Sequence, residues 1–168
     1  ERKRAFLNAE GADKPLKSPV PGSILDCARA YRLQRFRDEM ARQDVAGLLL
    51  YDPVNIRYAF DCSNMSIWTA HNPIRYALVL NGGPGIMFEF KGCEHLNDGL
   101  PRVDEVRTAI GWMFMCAGDR AKERLVPWAD EISDLISLYG RGNTRLGVDR
   151  LEPEGVHSLT ERGVQVID

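Results

Sequence analysis

The sequence predicts an α/β domain in which a mixed β-sheet is flanked by helices. Short apolar runs alternate along the chain with longer stretches whose apolar residues recur at helical spacing. Two of these runs are separated only by the glycine-rich turn 81–85, which is typical of an antiparallel hairpin. Other runs are separated by helix-length segments, which is typical of parallel crossovers. The length of 168 residues suits one such domain.

The chain begins with a proline-rich segment, residues 1–22, that shows no clear period and predicts an extended N-terminal arm. The domain itself is expected to span residues 23–168. Ser23 and Asp26 have the spacing of a capping box, with Asp in the acidic place. Apolar residues then recur at helical spacing, so we expect a helix that ends near residue 43.

A buried strand is predicted next, over the apolar run 45–51. Asp52 and Pro53 follow directly, and Asp at the N-cap with Pro at the first helical position predicts a short helix. Residues 61–75 mix polar and aromatic side chains without a period, so they are expected to form a loop.

The hairpin occupies residues 76–80 and 86–90. Its glycine-rich turn does not lead into a helix, which excludes a phosphate-binding loop. The remaining elements follow from apolar spacing and from glycine stop signals after residues 139 and 162. They are a short helix (93–100), a strand or two (106–114), a helix (128–139), a strand (145–149), a helix (151–162) and a strand (164–168).

Composition and charge exclude several classes of function. The net charge of −2 gives no electrostatic reason to expect nucleic acid or an acidic membrane as a partner. No apolar run is long enough to span a bilayer. Four widely spaced cysteines predict reduced thiols in a cytoplasmic protein rather than a disulfide framework. The first residue is not Met, so we expect an excised piece of a longer protein.

No complete catalytic site is predicted in this chain. A metal site needs several converging ligands, and Cys93-Glu94-His95 is the only tight cluster of such residues. A surface position for His95 explains this cluster better. The sequence also lacks the G-x-S-x-G pattern of a nucleophile elbow. We therefore expect neither a metal nor another cofactor to be held by this chain alone.

Candidate binding residues occur in the segment 64–75, which carries Trp68, His71 and Arg75 between two core strands. Aromatic residues and arginine are enriched at binding hot spots, and arginine can grip a carboxylate with two hydrogen bonds. The alternative is that Trp68 packs locally and Arg75 pairs with a nearby acid. Composition alone leaves both interpretations open.

Several motifs resemble the N-terminal domain of the creatinase/prolidase/aminopeptidase P family, over nearly all of residues 23–168. They are Arg32-Leu33 followed by Met40, the apolar strand 44–49, Asn55-Ile56-Arg57-Tyr58, and the late strand 145–149. Many members continue the third motif with Thr-Gly or Ser-Gly, where this chain has Ala59-Phe60. The run Trp68-x-x-His71-Asn72-Pro73-x-Arg75 is more similar to a branch that includes a bacterial dimethylsulfoniopropionate lyase.

The resemblance implies a ribonuclease-H-like fold and a non-catalytic role. In the family, a divalent metal pair lies in a following C-terminal catalytic domain, which is absent here, and the N-terminal domain supports dimerisation and approaches the partner's active site. The resemblance therefore implies a metal-dependent Xaa-Pro peptidase-like hydrolase as the parent. It makes the C-terminal domain and a second copy the expected partners, and the segment 64–75 the candidate capping loop. A stand-alone binding domain, or a parent lyase acting on a small zwitterion, are the alternatives. Alanine at Trp68 or Arg75 is expected to impair substrate use and leave folding intact.

Overall fold

The structure is a computed structural model that describes residues 20–168, so most of the predicted arm 1–22 lies outside the described residues. The strands are β1 (Gly47–Leu50), β2 (Tyr76–Leu80), β3 (Gly85–Glu89), β4 (Glu105–Thr108), β5 (Arg145–Val148) and β6 (Gln165–Ile167). The helices are α1 (Gly22–Gln43), α2 (Pro53–Phe60), α3 (Ser66–His71), α4 (Phe114–Ala117), α5 (Ala121–Tyr139) and α6 (Pro153–Glu161), with 3₁₀ turns at Glu94–Asn97 and Gly118–Arg120.

The strands form one mixed sheet in the order β4-β3-β2-β1-β5-β6, which confirms the predicted fold class. Strand β2 is antiparallel to both β1 and β3. The pairs β1–β5, β3–β4 and β5–β6 are parallel. All strands except β2 therefore point the same way, and their carboxyl ends share one side of the sheet, here called the carboxyl edge.

Both faces of the sheet are covered by helices. In β2, Tyr76 and Leu78 belong to the core cluster that includes Trp128 and Ile132 of α5. The alternate residues of β2 belong to the opposite cluster, with residues of α1 and α2 such as Met40. Because side chains alternate across a strand, β2 is buried at all five positions and reads as a continuous apolar run.

The predicted short helix after β1 is confirmed at its first residue. The Asp52 carboxylate accepts hydrogen bonds from the backbone N–H of Val54 at 2.7 Å and of Asn55 at 3.3 Å, and Pro53 occupies the first turn. The predicted hairpin is also confirmed. A side chain at Gly85 would place its Cβ 2.5 Å from the Phe60 ring, so the hairpin packs against α2 only with glycine there.

The capping box predicted at Ser23 is wrong. Helix α1 already begins at Gly22, with Pro21 at the N-cap and no side-chain cap. Helix α5 begins at Ala121, before the predicted residue 128. It continues through Pro127, which has no N–H group, so one backbone hydrogen bond of the helix is missing there. The predicted loop 61–75 is partly wrong too, since it contains α3. No helix within residues 20–168 is both long and apolar enough to cross a bilayer.

Candidate functional site

Helix α3 carries the exposed part of the candidate segment 64–75. Trp68 is 45% exposed, and its ring meets the Phe90 ring edge-on at 5.7 Å between centroids. Its neighbour Ile67 is 84% exposed, and Met65, which precedes the helix, is also exposed. Three exposed apolar side chains therefore lie within four consecutive residues at the start of α3.

His71, the last residue of α3, is exposed and lines a cavity of about 550 Å³. The volume lies in the range of small-molecule pockets. Trp112, Phe114 and Met115 provide apolar walls, while the charged side chains of both signs are Lys122, Arg150, Glu152 and Glu154. The cavity therefore combines apolar walls with charges of both signs beside His71.

Arg75 lies in the interior, and only 1% of it is exposed. Its Nε donates to Glu89 Oε2 at 2.7 Å, and its Nη2 lies 3.1 Å from Cys62 Sγ. Burial raises the pKa of the Cys62 thiol, and the nearby Arg75 charge opposes that shift. The pairing with a nearby acid is thus what the structure shows for Arg75. Any part it plays in capping has to be indirect, because its guanidinium cannot reach a ligand from this position.

The candidate residues lie at the carboxyl edge of the sheet. Helix α3 leads into the antiparallel strand β2, and α4 follows the carboxyl end of β4, so both helices lie at this edge. Arg150 links α3 to the chain after β5, because its Nη1 donates to the Ala70 carbonyl oxygen at 2.6 Å. Exposed apolar residues at this edge include Met65, Ile67, Trp68, Leu96, Phe114 and Met115, and these six are called the edge cluster below.

Sequence reasoning missed Phe114 and Met115, although Phe114 is 74% exposed. The predicted strand region 106–114 includes Met113 and Phe114, and Met115 follows it directly. An apolar run of this kind resembles the continuation of a buried strand, so its exposure is not evident from the sequence. In the structure β4 ends at Thr108 and the chain leaves the sheet before this run.

Two motifs behind the family resemblance meet in space. The Asp149 carboxylate accepts from Asn55 Nδ2 at 3.0 Å. It also accepts from the backbone N–H of Tyr51 at 2.8 Å and of Asp52 at 3.1 Å. Asp149 therefore ties the end of β5 to the end of β1 and to the start of α2. These motif residues hold the ends of β1 and β5 and the start of α2 together at the carboxyl edge.

Within residues 20–168, no group of three or more His, Cys, Asp or Glu side chains is arranged so that it could hold a metal ion. His95 lies exposed on the 3₁₀ turn Glu94–Asn97, as its surface interpretation predicts.

Comparison with known proteins gives relatives in both sequence and fold. No protein-family model matches the chain. It is 33% identical over 140 residues to dimethylsulfoniopropionate lyase DddP from Roseovarius nubinhibens, a match that covers 83% of this chain and 31% of the relative. The chain thus spans about a third of the length of this curated relative.

Solved structures with the same fold are more distant in sequence. The N-terminal domain of Xaa-Pro dipeptidase from Lactobacillus brevis is similar at 13% identity and a TM-score of 0.54, over 78% of this chain and 87% of that one. Xaa-Pro dipeptidase from Bacillus anthracis is similar at 15% identity and a TM-score of 0.54, over 83% of this chain and 33% of that one. Fold and sequence together show that the chain belongs to the N-terminal domains of the creatinase/prolidase/aminopeptidase P family.

Proposed function

We propose that this chain is the non-catalytic N-terminal domain of a longer, metal-dependent enzyme. The observation that carries the proposal is the match of 83% of this chain to 31% of a lyase sequence. The similar Bacillus anthracis dipeptidase likewise has this fold in 33% of its chain. In this proposal a C-terminal domain holds a divalent metal pair and the reacting groups, and it is the first partner of the domain described here.

Of two parent reactions, the sequence favours the lyase. The dipeptidases are less than 16% identical to this chain, so their likeness concerns the fold alone. The relative that is 33% identical is named a dimethylsulfoniopropionate lyase. We therefore propose cleavage of a small zwitterion such as dimethylsulfoniopropionate as the parent reaction. Hydrolysis of Xaa-Pro peptides is the second candidate, which the shared fold supports.

We propose that the role of this domain is to cover an active site with the edge cluster. Trp68 and His71 provide an aromatic ring and an imidazole, and both side chains are exposed outside the hydrophobic core. Burial of such a surface against a second copy favours association by the hydrophobic effect. We propose that this copy is the partner subunit, and sedimentation of the chain at rising concentration would reveal the dimer.

The test compares the activity of this chain alone with that of the longer protein. Purified chain is incubated with Mn²⁺, Co²⁺ or Zn²⁺, and either dimethylsulfoniopropionate or Xaa-Pro dipeptides are added. We expect neither release of dimethyl sulfide nor peptide hydrolysis from the chain alone, and one of the two from the protein extended by its C-terminal region. Turnover by the chain alone would contradict the proposal. A reading frame without a further domain would favour a stand-alone binding module instead.

A further inference from the structure

Glu89, the last residue of β3, places a carboxylate at the carboxyl edge with 0% exposure. Transfer of a carboxylate from water to the protein interior is costly unless the charge is paired and its oxygens accept hydrogen bonds. A buried ion pair is moreover weak evidence for stability, because well-packed apolar residues often replace one without loss. Stability alone therefore does not explain why a carboxylate occupies this buried position.

Each oxygen of this carboxylate accepts two hydrogen bonds. Oε1 accepts from Asn64 Nδ2 at 3.1 Å and from the backbone N–H of Phe90 at 3.0 Å. Oε2 accepts from Arg75 Nε at 2.7 Å and from Asn97 Nδ2 at 3.2 Å. Four donors thus converge on one buried group, and three of them are side chains from other parts of the chain.

These side chains bracket the candidate segment. Asn64 precedes α3, Arg75 follows it, and Asn97 ends the 3₁₀ turn that carries Leu96. Helix α3 has no side-chain cap at its N-terminus among the described residues, and Met65 at that end has a φ of 41°. A left-handed conformation at such a residue persists only where surrounding contacts hold it.

We propose that Glu89 is a positioning residue that fixes α3 and the turn Glu94–Asn97 to the sheet as one unit. In this way its carboxylate sets the places of Trp68 and His71 from inside the core. The use of that placement rests on the proposed function, in which these side chains cover an active site. The placement itself is measurable on this chain.

The variant Glu89→Gln keeps the shape of the side chain and replaces one oxygen by an NH₂ group. In either orientation of the amide, that group faces two donors, so one side of the network must open. We expect amide hydrogen exchange to rise about tenfold in residues 66–72 and 94–97, with β1 and α5 unchanged. Acrylamide quenching of tryptophan fluorescence should rise in parallel. It reports mainly on Trp68 of α3, because Trp68 is exposed whereas Trp112 and Trp128 are buried.

Two further variants keep the test decisive. Glu105→Gln is the matched control, because Glu105 also pairs with an arginine but contacts neither segment. The double variant Arg75→Met with Glu89→Met replaces the buried pair by apolar side chains, and it serves as the test if Glu89→Gln does not fold. We expect this double variant to fold and still to exchange rapidly in residues 66–72.

Wild-type exchange in residues 66–72 of the double variant would overturn the proposal. An equal rise over the whole chain in Glu89→Gln would overturn it too, because it would show global stability alone. Neither outcome depends on catalysis, so failure here is distinguishable from failure of the proposed function, which is measured by turnover.

Discussion

Two of the short helices at the carboxyl edge, α2 and α3, begin in opposite ways. Helix α2 has an N-cap carboxylate from Asp52 and a proline in its first turn. Helix α3 starts after Met65, in the left-handed region, and no side chain of the described residues caps it. Its entry is held through Asn64 by Glu89, which lies 25 positions further along the chain. Adjacent residues therefore encode the first helix, while tertiary contacts place the second.

The largest effect should come from breaking the tertiary anchor. Arg75→Met leaves the buried Glu89 carboxylate without its cation, which costs about 3–5 kcal/mol in the free energy of unfolding. Urea denaturation measures this cost, and Arg42→Ala, which removes an exposed arginine of α1, is the control and should leave the midpoint unchanged. This expectation revises the one from sequence, in which loss of Arg75 left folding intact. A cost below about 1 kcal/mol would contradict the contrast between the two helices.

Asp149→Ala should rank second, at about 2–3 kcal/mol, because two backbone N–H groups and Asn55 Nδ2 lose their acceptor. The substitution should loosen the start of α2 and leave α3 in place, because the lost hydrogen bonds all come from residues 51–55. Denaturation gives the magnitude and hydrogen exchange gives the place. Asp134→Ala, at an exposed position of α5, is the matched control. Faster exchange confined to α3 would be inconsistent with this assignment.

The helix cap of α2 gives a smaller and more local effect. Asp52→Ala removes the acceptor for Val54 N and Asn55 N, which costs about 1 kcal/mol. Exchange should rise in the first turn of α2 and stay unchanged in residues 66–72. Asp52→Asn is the control, because asparagine caps helices about as well. If α3 also loosened, the two helix starts would not be independent.

The smallest effect on stability is expected at Trp68. Trp68→Ala removes a half-exposed side chain and one edge contact with Phe90, so about 0.5 kcal/mol is lost, the lower end of what an aromatic pair contributes. In the extended protein the same change should lower kcat/KM at least tenfold, about 1.4 kcal/mol of transition-state binding, while Trp68→Phe retains most of it. Kinetics equal to those of the wild type would remove Trp68 from the proposed covering surface.

The contrast between the helices also explains which features the sequence could predict. Strand β2, the hairpin and α2 follow from signals within a few residues, and all were predicted. Helix α3 was missed because its first residue has neither a cap nor a period, and α5 was begun late because Pro127 imitates a boundary. The segment 64–75 could be singled out by composition. The burial of Arg75 could not, since its partner Glu89 is recognisable only once β2 and β3 are paired.

The bond between Asp149 and Tyr51 spans 98 positions of the chain, and it has a consequence for synthesis. A ribosome adds about 5–20 residues per second, so roughly 5–20 s pass between the emergence of β1 and that of β5. During this interval β1 can pair with β2 but has an open edge on its other side. Unpaired strand edges promote aggregation. The nascent chain therefore exposes this edge of β1 until residues 145–148 have emerged.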